Sequence, residues 1–88
     1  MAFELIDNKL RVYPNPVKDI LSIKSETTAP TGSVFLIYDV SGKLQVKGIW
    51  PANRMEVKID VYGLKDGIYE AQILNESGIN SIRFVVTK

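Results

Sequence analysis

The 88-residue chain has no cysteine and no histidine. Without cysteine there is no disulfide staple and no thiolate metal site, and redox chemistry says nothing of the compartment. Without histidine the commonest general base and the commonest metal ligand are both missing. Charge of one sign is not in excess either. Eleven Lys and Arg stand against ten Asp and Glu, a net charge of +1, so the clustered cations that nucleic acid or an anionic membrane requires are absent. The longest apolar run is Val34–Tyr38, far short of the roughly 20 residues of a membrane-spanning helix. These absences argue against an enzyme, imply no cofactor, and leave no nucleic-acid partner. The start of the chain also lacks the basic and long apolar regions of a signal peptide, so the expectation is either a cytoplasmic protein or a piece of a longer one.

What is present points to strands. Val, Ile, Phe, Tyr and Trp number 27, against 13 for Ala, Leu and Met; β-branched and aromatic side chains suit a pleated surface. Turn signals recur at short intervals: Pro14-Asn15-Pro16, Ala29-Pro30-Thr31, Ser41-Gly42, Pro51-Ala52-Asn53, Asp66-Gly67 and Ser77-Gly78. Between them apolar residues alternate, as in Met55, Val57, Ile59, Val61, in Tyr69, Ala71, Ile73, and in Ile82, Phe84, Val86. The pattern predicts strands over 9–12, 20–24, 33–39, 44–48, 55–59, 67–75 and 79–87, with at most one helical turn near Tyr62-Gly63-Leu64. Seven short antiparallel strands make an all-β, immunoglobulin-like sandwich. Leu21, Ile23, Ile37, Val57, Ile59, Tyr69, Ile73 and Phe84 are the expected core. Val34–Tyr38 is apolar on both faces, so a central strand is expected there, its second face covered by a loop or by Trp50. Residues 1–8 fit the core pattern least and read as a linker remnant or the added N-terminus of an expressed fragment; 9–88 read as the domain.

Taken singly, the polar residues have plain structural readings. Asp39 and Asp66 sit where aspartate organises turns, which outweighs a calcium cluster with Asp60. The serines have no histidine to activate them. Trp50 before a proline reads as a cap over the core edge, although Trp50 with Tyr62 would also suit an immunoglobulin-like carbohydrate- or protein-binding accessory module of a secreted hydrolase.

The order of the turn motifs says more. Val12-Tyr13-Pro14-Asn15-Pro16-Val17-Lys18-Asp19-Ile20-Leu21-Ser22-Ile23, Ile37-Tyr38-Asp39-Val40-Ser41-Gly42-Lys43-Leu44, Ile59–Tyr69 and the ending Arg83-Phe84-Val85-Val86-Thr87-Lys88 occur in register over residues 11–88. Together they resemble the C-terminal sorting domain (type A) of the type IX secretion system, the Por secretion system sorting domain. One departure is Tyr62-Gly63, where a small polar residue is commoner in the family.

The resemblance implies a C-terminal signal, not an enzyme, that directs a fused N-terminal cargo through the periplasm and outer membrane to the cell surface or medium. Its implied partners are an outer-membrane translocon and a surface sortase-like protease that cleaves the domain, the cargo being released or anchored. Arg83, Phe84, Val85, Val86, Thr87 and Lys88 are the candidates for translocon recognition, since a terminal strand offers an edge and a charged end. Pro14, Asn15, Pro16, Asp39, Gly42, Gly67 and Tyr69 are expected to be architectural. The apolar stretch Ile82–Val86, guarded by Arg83 alone, is also expected to support a homodimer through an edge strand.

Overall fold

A computed structural model describes residues 10–26, 32–76 and 78–88. The seven strands are β1 (Leu10–Tyr13), β2 (Ile20–Ser25), β3 (Ser33–Asp39), β4 (Leu44–Trp50), β5 (Glu56–Asp60), β6 (Gly67–Asn75) and β7 (Gly78–Val86). They form two antiparallel sheets, β1-β2-β5 and β4-β3-β6-β7. The all-β sandwich is thus as the alternation predicts; β3 and β6 have the predicted bounds, and the other strands differ by one residue at one end or both, except β4, which runs on two residues to Trp50. The 61–64 segment is a turn, closed by Leu64 N–H on the Val61 carbonyl at 2.9 Å. Residues 1–8, Lys9, the Ala29-Pro30-Thr31 turn and Ser77 lie outside the described residues.

Both sheets turn their alternate residues onto one apolar layer, the arrangement that hides β-branched side chains without a helix. Leu21, Ile23, Ile37, Ile59, Tyr69, Ile73 and Phe84 are buried, and Val57 packs half-buried against them. Val17, Val61 and Leu64 are buried too. Val61 continues the alternation of β5, whereas Val17 and Leu64 lie in no alternating stretch, so periodicity passes over them.

Trp50 does not cover the outer face of β3. It pairs with Ser33 on the inward side, is 5% exposed, and its Nε1–H donates to the Arg54 carbonyl at 2.8 Å. The outward row therefore runs Ile49, Val34, Leu74, Ile79 across the whole sheet, and its two ends, Ile49 and Ile79, are largely exposed. The outer face of the three-stranded sheet is polar by contrast. There Tyr13 donates to Glu56 at 2.8 Å and the Lys58 ammonium reaches Ser22 Oγ at 3.2 Å. The Tyr13 bond holds the Glu56 carboxyl below its usual range and the Tyr13 hydroxyl above its own.

β1 leads into the candidate site. It pairs with β2 as far as Tyr13, and then the chain passes through Pro14-Asn15-Pro16 to the other sheet, where Val17 bridges Val86 in parallel. A proline cannot donate to a ladder, so a strand that meets two of them is released from its partner.

Candidate functional site

The end of the sandwich at which the chain terminates is built from three segments: the crossing at 14–19, the turn at 60–66, and the tail at 83–88. Between crossing and tail, the Val17 N–H donates to the Val85 carbonyl at 2.8 Å and the Thr87 N–H donates to the Val17 carbonyl at 3.0 Å. Asn15 adds a side-chain contact, its Oδ1 accepting the Val85 N–H at 2.9 Å. Val17, 1% exposed, supplies the apolar contact beneath. A backbone donor at a strand edge must find a partner or water, and here the chain's own crossing supplies it. Of the stretch Ile82–Val86 expected to support a homodimer, Val85 and Val86 lie against the chain's own crossing.

Between crossing and turn, the Val61 N–H donates to the Asp19 carbonyl at 2.7 Å. Asp60 Oδ1 accepts the Tyr62 N–H at 2.9 Å, which fixes the start of the turn. Between turn and tail, Asp66 Oδ1 accepts the Lys88 N–H at 3.1 Å. The Lys88 ammonium donates to the Lys18 carbonyl at 3.0 Å and to the Tyr62 carbonyl, and lies 4.8 Å from the centre of the Tyr62 ring.

The six residues expected to be read by a translocon divide between two environments. Phe84 and Val86 point into the core, both 1% exposed, and Phe84 stacks on Tyr69 with ring centres 5.7 Å apart. Arg83, Thr87 and Lys88 are exposed and Val85 is half-buried. Arg83 and Lys88 do not meet. Arg83 stands opposite Glu70 in the β6–β7 ladder and lines an open groove of about 450 Å³ with Tyr38, Glu70 and Gln72, whereas Lys88 folds over Tyr62.

The residues expected to be architectural each have a visible task. Asp39 ends β3 and accepts from the Ser41 hydroxyl at 2.6 Å, the Ser41 N–H at 2.9 Å, the Lys43 N–H at 3.0 Å and Gln45 Nε2 at 3.0 Å. The Ser41 hydroxyl, then the backbone donors, hold its carboxyl below the usual range. Gly42 takes φ 86° in that hairpin, a conformation open to glycine and costly for side chains. Gly67 opens β6 opposite Val86. Tyr69 is buried and donates to the Lys65 carbonyl at 2.7 Å. Burial, with the Asp39 and Asp66 carboxylates nearby, raises its hydroxyl above the usual tyrosine range. Pro14, Asn15 and Pro16 form the crossing itself.

Among the described residues no cluster of carboxylates is arranged to hold a metal ion. Trp50 and Tyr62 lie at opposite ends of the sandwich, Trp50 beside Ser33 and Tyr62 beside Lys88, and make no common platform for a sugar.

What sequence reasoning missed is Tyr62 as the seat of the terminal ammonium, and Asp19 and Asp66 as links between segments. The only signal for Tyr62 is that it departs from the family pattern. The family described as the secretion system C-terminal sorting domain matches residues 11–87 of the chain. No curated protein matches it.

Proposed function

The chain belongs to the secretion system C-terminal sorting domain family, the type IX family its motifs resemble, and from that premise we propose that its C-terminal strand carries a fused cargo through the outer membrane. The family is one of sorting signals and not of enzymes. On this reading a translocon engages the segment Arg83–Lys88, a surface sortase-like protease cleaves the domain on the outer side, and the cargo is released or anchored at the cell surface. Residues 9–88 are the signal and residues 1–8 belong to the junction with the cargo.

One observation supports the tail as the part engaged. Its final residues are not a loose end but are held in a defined geometry by the crossing and the turn. A partner that binds a pre-ordered segment does not have to meet the cost of ordering it, so affinity goes into the contacts.

The test is a reporter fused ahead of the whole chain in a cell that has a type IX secretion system. The intact fusion is expected outside the cell. Removing Thr87 and Lys88, which leaves Phe84 and Val86 in the core, is expected to leave the reporter in the periplasm. Periplasmic retention of the intact fusion would refute the reading.

A further inference from the structure

The three segments at the terminal end are bonded pairwise: crossing to tail through Val17 and Asn15, crossing to turn through Asp19 and Val61, turn to tail through Asp66 and Tyr62. No two of them depend on the third for their connection. Such a face cannot exist in the unfolded chain, because Asn15 and Val85 are 70 residues apart and Tyr62 and Lys88 are 26 apart.

We propose that the unit a partner reads is this three-segment face, and that Lys88 is its clasp rather than a free positive address. The proposal rests on the sorting-signal reading and names the form in which that signal is displayed. An ammonium has three donors and no acceptor. That of Lys88 spends two on the carbonyls of Lys18 and Tyr62 and lies over the Tyr62 ring, whose negative face attracts a cation. Bound in this way, Lys88 ties the last residue to both other segments at once. Tyr62 remains 69% exposed, and the two segments joined to the tail beside it each carry an exposed charge of either sign, Lys18-Asp19 in the crossing and Lys65-Asp66 in the turn. The partner that fits is a folded protein surface with an apolar recess for the ring and polar groups at its rim, not an acidic patch that draws in a basic tail.

Two exposed positions outside the tail test the idea with the same reporter fusion. Tyr62→Leu removes the ring and Asp66→Ala removes the acceptor of the Lys88 N–H, and both leave the sequence of residues 83–88 unchanged. Each is expected to lower the exported fraction roughly tenfold, the factor that about 1.4 kcal/mol represents. Tyr62→Phe and Asp66→Asn, which keep the ring and an acceptor oxygen, are expected to restore export, so a loss caused by misfolding at these surface sites is told apart from loss of the clasp. If Tyr62→Leu and Asp66→Ala are exported like the parent while removal of Thr87 and Lys88 still blocks export, the tail is read as a linear peptide. The three-segment face is then wrong and the sorting-signal reading stands. If the parent fusion itself stays in the periplasm, both fall.

Discussion

The two edges of the four-stranded sheet are managed by different means. At β7 the chain closes the edge with itself: Val17 takes the Val85 carbonyl and the Thr87 N–H, and Asn15 takes the Val85 N–H. At β4 no described strand lies outside the ladder. That edge depends instead on its hairpin turn, organised by Asp39, on Lys43 and Lys47, and on a close fit between Gly48 and the Phe35 ring. Cations and short irregular edges are ordinary devices against unwanted pairing. The difference teaches that β7 is held in place by long-range contacts, whereas β4 is held by what lies next to it in sequence.

The largest effect is expected where β7 enters the core. Phe84→Ala removes a ring that is 1% exposed and stacked on Tyr69, and is expected to cost about 3–5 kcal/mol. That is a large part of the stability of a small domain, so chemical denaturation should show a much lower midpoint. The counterpart on β4 is Gly48→Ala. A Cβ there would collide with the Phe35 ring, and overpacking of this kind costs about 1–3 kcal/mol. If Gly48→Ala proved the more damaging, the weight assigned to the two edges would be reversed.

Asn15→Ala is expected to cost about 1 kcal/mol, the usual net value of a neutral hydrogen bond. Thermal unfolding should report a drop of roughly 4–8 °C for a domain of this size, with loosening confined to the tail. The smallest effect is a pH dependence at the β4 hairpin. The Asp39 carboxyl titrates below its unfolded value because the Ser41 hydroxyl and the Lys43 N–H favour its charged form. Its contribution is therefore complete above the ordinary aspartate pKa of about 4 and is lost as pH falls through the lower folded value. A carbon-detected NMR titration should place the Asp39 midpoint below that of a model peptide, with the Ser41 and Lys43 amides shifting at the same pH.

The comparison also explains what could be read beforehand. Period-two alternation marks β5, β6 and β7 because each has one wet face and one dry one, and Val34–Tyr38 is legible as a central strand. Of the two covers expected for its second face, a loop or Trp50, the register excludes Trp50, because pairing with Ser33 turns the indole inward. Val17 is as buried as Phe84, yet it sits between Pro16 and Lys18 with no alternation around it, so no local pattern announces it. The Asp39 turn could be read from Asp39-Val40-Ser41-Gly42, since every partner lies within six residues. The terminal face could not, because its bonds join residues 22 to 70 positions apart and side chain-to-backbone contacts at that range leave no periodic trace. The family motifs carried the location of that site without its physics.

Amide hydrogen exchange on the intact chain tests the central claim most directly. Residues at a chain terminus ordinarily exchange as free peptide. The account predicts that the Val85, Thr87 and Lys88 amides, bonded to Asn15, Val17 and Asp66, are protected, and that Tyr62→Leu and Asn15→Ala release them while Ile37 and Ala71 stay protected. Exchange of those three amides at free-peptide rates in the parent chain, with Ile37 and Ala71 still protected, would contradict it.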